Sequence, residues 1–332
     1  MERTTEPKLP LPPATGAEQS PPPTIVSNSS RAIPSPLGRG DRGVRGPIGL
    51  YDSGVGGLTV VRELARQLPN ESVVYFGDTA RVPYGGRTAA EILRFGREIC
   101  GFLLDQGVKL IMVACNTSSA LALVTLSAEI PVPVIGVLEA GAAAAVRATV
   151  SGRIGVLATE ATAKSGAYER AIRAAMPGAE VMVVGCPALV PLVEAGSVDG
   201  EEVRRALAEY LHPLLERGVD TIVYGCTHYP FLDGAIAEMA GPGVARVDPA
   251  AAMVARAAEL LRAMGALAPA RGLPDRFVVS GSPERFRALG SLFLGRALPP
   301  VEQVRIEAYG MADLPAPVAL EESTPMREGI EE

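Results

Sequence analysis

DQGVKLIMVACNT, residues 105–117, and ERGVDTIVYGCTH, residues 216–228, align without a gap. Asp105 meets Glu216, Gly107 meets Gly218, Val108 meets Val219, Ile111 meets Ile222 and Cys115 meets Cys226. In both stretches an apolar run of strand composition ends in a cysteine, where the strand would emerge into a loop. A weaker echo pairs IGLYDSG (48–54) with IGVLATE (154–160). The chain therefore reads as two similar α/β halves, each placing one cysteine at the end of one strand.

The same rhythm extends outward from these stretches. From Pro47 onward, short β-rich runs such as SVVYFGDT, PVIGVLE, RIGVLAT and EVMVVGCP alternate with helical patterns such as TAAEILRFGREICGFLLDQG and DGEEVRRALAEYLHPLLERG. A long helix (AAMVARAAELLRAMGAL), a strand (RFVVSG), another helix (PERFRALGSLFLG) and VEQVRIE close the ordered part. Strands flanked by helices of this length imply βαβ units and mainly parallel sheets. Ligands of such sheets sit beyond the carboxyl ends of the strands, where both cysteines fall.

With 332 residues, 48% apolar and 20% charged, the chain has material for two domains with sizeable cores. The net charge of −6 supplies no basic field for nucleic acid or an anionic membrane. No run approaches the ~18 apolar residues of a membrane span. Residues 1–46 hold nine of the 29 prolines and read as a disordered tail. They lack the apolar core of a secretory signal, which points to the cytoplasm. Residues 311–332 read as a flexible acidic tail. The four cysteines form no C-x-x-C pair, which disfavours a clustered-thiolate zinc site, and a cytoplasmic chain disfavours disulfides.

Two thiols on opposite sides of one ligand suit inversion of a carbon centre by proton transfer. One removes a proton from one face and the other delivers a proton to the opposite face. A thiol serves as acid or base because its ordinary pKa of ~8.5 lies near neutrality. Both cysteines precede a predicted helix, whose N-terminus is expected to favour a thiolate.

DSGVGGLTV, FGDTARVPYGGRT, ACNTSSA and GCTHYP, in this order over residues 47–310, together resemble the glutamate racemases of the aspartate/glutamate racemase superfamily. The resemblance implies two pseudo-symmetric three-layer α/β domains with the active site in the cleft between them. The first would comprise 47–140 plus 249–310, with RFVVSG returning to it, and the second 141–248. It also implies interconversion of L- and D-glutamate without cofactor or metal, a supply of D-glutamate for peptidoglycan, and a homodimer common in the family. Carried over residue by residue, Cys115 acts on the D-isomer and Cys226 on the L-isomer. Asp52 assists Cys115 or meets the substrate ammonium, and His228 with Glu194 forms the auxiliary pair beside Cys226. Ser53, Tyr84, Gly85, Asn116, Thr117 and Thr227 would hold the substrate through hydroxyl, amide and backbone groups, with Thr159 and Thr162 as weaker candidates.

Other features read as structure. Cys100 falls on the apolar face of a helix, and Cys186 lacks both the polar neighbour and the repeat partner. His212 reads as packed or superficial, and Arg81 and Arg87 as a solvated, sign-neutral surface. G-x-G-x-x-G fails at Thr59, so the DSGVGG glycines read as a tight strand-to-helix turn. The competing functions are an aspartate racemase, against which His228 stands, and a thiol redox or metal-binding protein.

Overall fold

Ten strands and twelve α-helices alternate along residues 46–309, the part of the chain that this computed structural model describes. The tail readings, 1–46 and 311–332, lie outside the described residues but for Gly46. Strands β1 (Ile48–Asp52), β2 (Val73–Gly77), β3 (Leu110–Val113), β4 (Val134–Gly136), β9 (Arg276–Val279) and β10 (Val301–Gln303) form one sheet in the order β10-β9-β2-β1-β3-β4. The other sheet contains β5 (Arg153–Ala158), β6 (Glu180–Gly185), β7 (Thr221–Gly225) and β8 (Ala245–Val247), in the order β6-β5-β7-β8. Every pairing in both is parallel.

The order β2-β1-β3-β4 repeats as β6-β5-β7-β8, and the register repeats with it. Ile48 lies opposite Leu110, and Ile154 lies opposite Thr221. These are the residues that the two sequence echoes superpose. β9 and β10 break the symmetry by extending the first sheet beyond β2.

Near-continuous apolar runs bury both faces of each central strand, as parallel sheets require. Ile48 and Leu50 pack toward helices α1 (Leu58–Gln67), α11 (Pro249–Ala263) and α12 (Pro283–Leu294), while Tyr51 packs toward α2 (Ala89–Asp105) and α4 (Leu123–Glu129). In the second sheet Leu157 faces α8 (Leu189–Glu194) and α9 (Glu201–Glu216), and Val156 faces α5 (Val137–Ala148) and α7 (Ala167–Ala175). Each half thus has three layers.

α5 leads out of the first sheet into the second, α11 leads back, and the two helices pack on each other. Gly141 of α5 permits this approach, since a Cβ there would stand 2.9 Å from Pro249. Among the described residues no helix is long and apolar enough to cross a membrane.

Candidate active site

Both sheets aim their central strands at one cavity. Asp52 ends β1 and Ser53 follows it, Cys115 follows β3, Thr159 follows β5 and Cys226 follows β7. In each half these are the two adjacent strands from which the chain departs in opposite directions, the place where open α/β sheets bind ligands. A cavity of about 190 Å³ lies there. Ser53, Tyr84, Gly85, Cys115, Asn116 and Thr117 line it from one half, and Thr159, Cys186, Cys226, Thr227 and His228 from the other. Among the described residues its lining holds no Arg or Lys, and it does include Glu160.

Cys115 caps α3 (Asn116–Leu121) and is buried. Burial and the nearby charge of Asp52 push its thiol up to about 12, against the pull of the Ser118 backbone N–H. Burial thus works against the preference for a thiolate expected at this helix start. Desolvation outweighs the few free N–H groups of a six-residue helix.

Cys226 departs from expectation differently, because no helix starts there. A 3₁₀ turn over Tyr229–Leu232, with Pro230 inside it, precedes α10 (Asp233–Ala240). The group beside this thiol is His228, whose Nδ1 lies 3.6 Å from Sγ. The imidazole Nε2 in turn stands 2.9 Å from Glu194 Oε1 at the end of α8. Burial opposes a charge on His228, but the hydrogen bonds and charges of Cys226 and Glu194 outweigh it and raise its pKa well above the usual value. Burial likewise works against the Glu194 carboxylate, and its bond to His228 reverses the balance and holds its pKa low.

Asp52 and Glu194 are not on the cavity wall but stand behind it. Asp52 Oδ2 accepts from the backbone N–H groups of Gly54 and Gly57, at 3.2 and 3.0 Å. Its Oδ1 accepts from the Thr227 hydroxyl at 3.2 Å, across the two halves. This close crossing accounts for the glycines of DSGVGG. A Cβ on Gly56 would fall 2.3 Å from Thr227 Oγ1, and one on Gly54 would fall 2.7 Å from Glu194 Oε1. The loop is a tight turn, as read from sequence, and also a seam between the halves.

The other candidates converge on the cavity, with differences in detail. Tyr84 lines it, but its hydroxyl donates to the buried Asp78 carboxylate, leaving ring and backbone for a ligand. Gly85 abuts Thr159, where a Cβ would come within 3.0 Å. The hydroxyls of Thr117, Thr159 and Thr162 form a triangle with sides of 3.0, 3.3 and 2.9 Å, joining the halves a second time.

Cys100 is fully buried in α2, and His212 is exposed beside Glu216. Cys186 is buried, as a packing residue would be, yet it also lines the cavity, and burial pushes its thiol up to about 12. Arg81 overturns its reading as solvated surface. Its side chain is only 11% exposed and pairs with Glu98 at 2.7 Å, while its guanidinium lies over the Phe95 ring. Arg87 is part-exposed and paired with Glu91. Reading by motif passed over Asp78, although it lies within FGDTARVPYGGRT and touches Tyr84 from behind, and missed Tyr168, which touches Asn116 and carries no local signal of it. All four cysteines are free, and among the described residues no group of three or more His, Cys, Asp or Glu side chains could hold a metal ion.

The sequence profile of the Asp/Glu/Hydantoin racemase family matches residues 52–257. A glutamate racemase of Desulforudis audaxviator is 50% identical over 256 residues, covering 75% of this chain and 94% of that protein. The crystal structure of a glutamate racemase from Bacillus anthracis superposes with a TM-score of 0.76 at 37% identity, over 79% of this chain and 98% of that one. The glutamate racemase of Francisella tularensis in complex with D-glutamate gives 0.74 at 37% identity, over 80% and 99% of the two chains. With its sheets, its repeated strand order and these relatives in agreement, the chain belongs to the glutamate racemase family, a family of isomerases.

Proposed function

We propose that this protein interconverts L- and D-glutamate by two-base proton transfer at the α-carbon, with Cys115 and Cys226 as the acid/base pair and no cofactor. The observation that carries the reading is that two thiols from equivalent strand ends of a repeated fold line one small cavity. In one direction the Cys115 thiolate takes the α-proton of D-glutamate and the Cys226 thiol supplies a proton to the other face. L-Glutamate runs through the same steps in reverse. The substrate ammonium favours ionisation of Cys115, because an opposite charge nearby stabilises the thiolate. His228, held by Glu194, is placed to exchange a proton with Cys226.

As the α-proton leaves, the α-carboxylate becomes more negative. The lining answers with neutral donors, among them the Asn116 amide and the Ser53 hydroxyl, on residues that are themselves buried. Asp52 lies behind that wall and acts on Cys115 by charge and on Thr227 by hydrogen bond. The same reading takes 47–140 plus 249–310 and 141–248 as the two domains, and places the enzyme in the cytoplasm, supplying D-glutamate for peptidoglycan.

The test is incubation with L-glutamate in deuterated water, with chelator and without pyridoxal phosphate. Optical activity should decay while deuterium enters the α-carbon, followed by circular dichroism and NMR. Absence of exchange from folded, reduced protein, or faster turnover of aspartate, would refute the glutamate assignment.

A further inference from the structure

Asn116 opens α3 with its side chain buried on the cavity wall. Its Oδ1 accepts a hydrogen bond of 2.7 Å from the Tyr168 hydroxyl, while its Nδ2 has no partner among the described residues. A buried amide donor left unpaired destabilises the fold. At the wall of a ligand cavity, such a donor is available to the ligand.

Tyr168 stands on α7 in the opposite half, fully buried, and is not part of the cavity lining. Its ring packs with Leu138, Ala142, Ile172 and Val223, a role that Phe would fill equally well. The surroundings nevertheless make room for the whole tyrosine. A Cβ on Gly141 would come within 3.0 Å of the hydroxyl, and one on Gly225 within 3.1 Å of the ring.

The two ends of an asparagine amide have nearly the same shape and differ in hydrogen-bonding role, so a neighbour decides which end faces where. In the opposite flip the Tyr168 proton would lose its acceptor, and a carbonyl oxygen would face the cavity. Burial, then the charges of Glu139, Cys226 and Asp248, raise the Tyr168 pKa, so this hydroxyl remains a donor over the range in which a thiol pair works.

We infer that Tyr168 is a positioning residue that reaches across from the second half and locks the Asn116 amide with its NH₂ turned into the cavity, toward a carboxylate oxygen of the substrate. The identity of that carboxylate rests on the glutamate reading, whereas the lock itself does not. Because the bond joins the two halves, the donor takes its direction only when they are packed as they are here.

Tyr168→Phe keeps the ring and removes the lock. The expected result is a fall in kcat/KM of about 5- to 50-fold for both enantiomers, with an unchanged pH profile. In an Asn116→Ala background, the same change should cost less than about twofold more, since the group that it orients is gone. Losses that multiply in the double variant, or a single variant within about twofold of wild type, would overturn the inference. The Asn116 side-chain amide, read by ¹⁵N NMR in the ligand-free protein, tests the bond without turnover. Its resonances should shift on Tyr168→Phe, and unmoved resonances would overturn the inference whatever the substrate. Failure of the wild type to racemise glutamate would instead count against the functional reading and leave the amide result standing.

Discussion

Cys115 and Cys226 hold equivalent places in two copies of one strand arrangement, yet their surroundings share almost nothing. Cys115 is buried, caps a short helix beside the Asp52 charge, and its thiol is pushed up to about 12. Cys226 lies before a 3₁₀ turn, 3.6 Å from an imidazole that is itself backed by a carboxylate. The repeat therefore fixes where each sulfur points, and the side chains around it fix how readily it exchanges a proton. A symmetric fold catalysing a reaction between mirror-image substrates does not need symmetric neighbours. It needs two groups that can each hold or release one proton.

Removing either sulfur breaks the comparison most severely. Cys115→Ala and Cys226→Ala should each lower racemisation in both directions by roughly 10⁴-fold with the fold intact, because each direction needs an acid and a base. Retention of more than about a hundredth of wild-type turnover by either variant would sink the two-thiol scheme.

His228→Asn sharpens the comparison. Turnover should drop about 10²-fold, and unequally from the two enantiomers, since only Cys226 loses its partner. Enantiomers have an equilibrium constant of one, so kcat/KM must fall equally in both directions and the inequality can appear only in kcat and KM separately. Progress curves started from each enantiomer measure this, and equal kcat losses would count against an auxiliary role confined to the Cys226 side.

Gly56→Ala tests the seam between the halves. Its Cβ would lie 2.3 Å from Thr227 Oγ1, so the halves must shift, at a cost of about 1–3 kcal/mol in a denaturant melt. An unchanged midpoint would show that the seam is looser than it looks.

The smallest effect near neutrality concerns pH and stability. Burial raises the thiols of Cys115 and Cys186 to about 12 in the folded protein. Their contribution to stability is fully present below about pH 9. It is lost as pH rises from there through 12, because the unfolded chain sheds these protons first. Melting temperatures followed from pH 8 upward should fall, and less steeply in Cys186→Ala. A flat profile would mean that these thiols are better solvated than their burial implies.

Much of this molecule is legible in its sequence, for an identifiable physical reason. Apolar runs bounded by glycine and polar residues mark strands, a 3.6-residue period marks helices, and a chain that repeats itself must repeat its strand order. From DQGVKLIMVACNT and ERGVDTIVYGCTH follow two halves and two cysteines at strand ends. The cavity between β1, β3, β5 and β7 lies where such sheets place ligands.

What only the tertiary structure decides is which side chains stand behind that cavity. Tyr168 is 52 residues from Asn116, and Asp52 is 175 from Thr227. No local period distinguishes a tyrosine that merely fills a core from one whose hydroxyl reaches the other half. Arg81, read as solvated surface, is enclosed because Phe95 and Glu98 of the next helix fold over it. The acidity of Cys115 is likewise set by desolvation, which depends on everything packed around it and outweighs the helix start beside it in sequence. Local sequence encodes backbone direction and periodicity, while burial and cross-layer partners come into existence only when the layers meet.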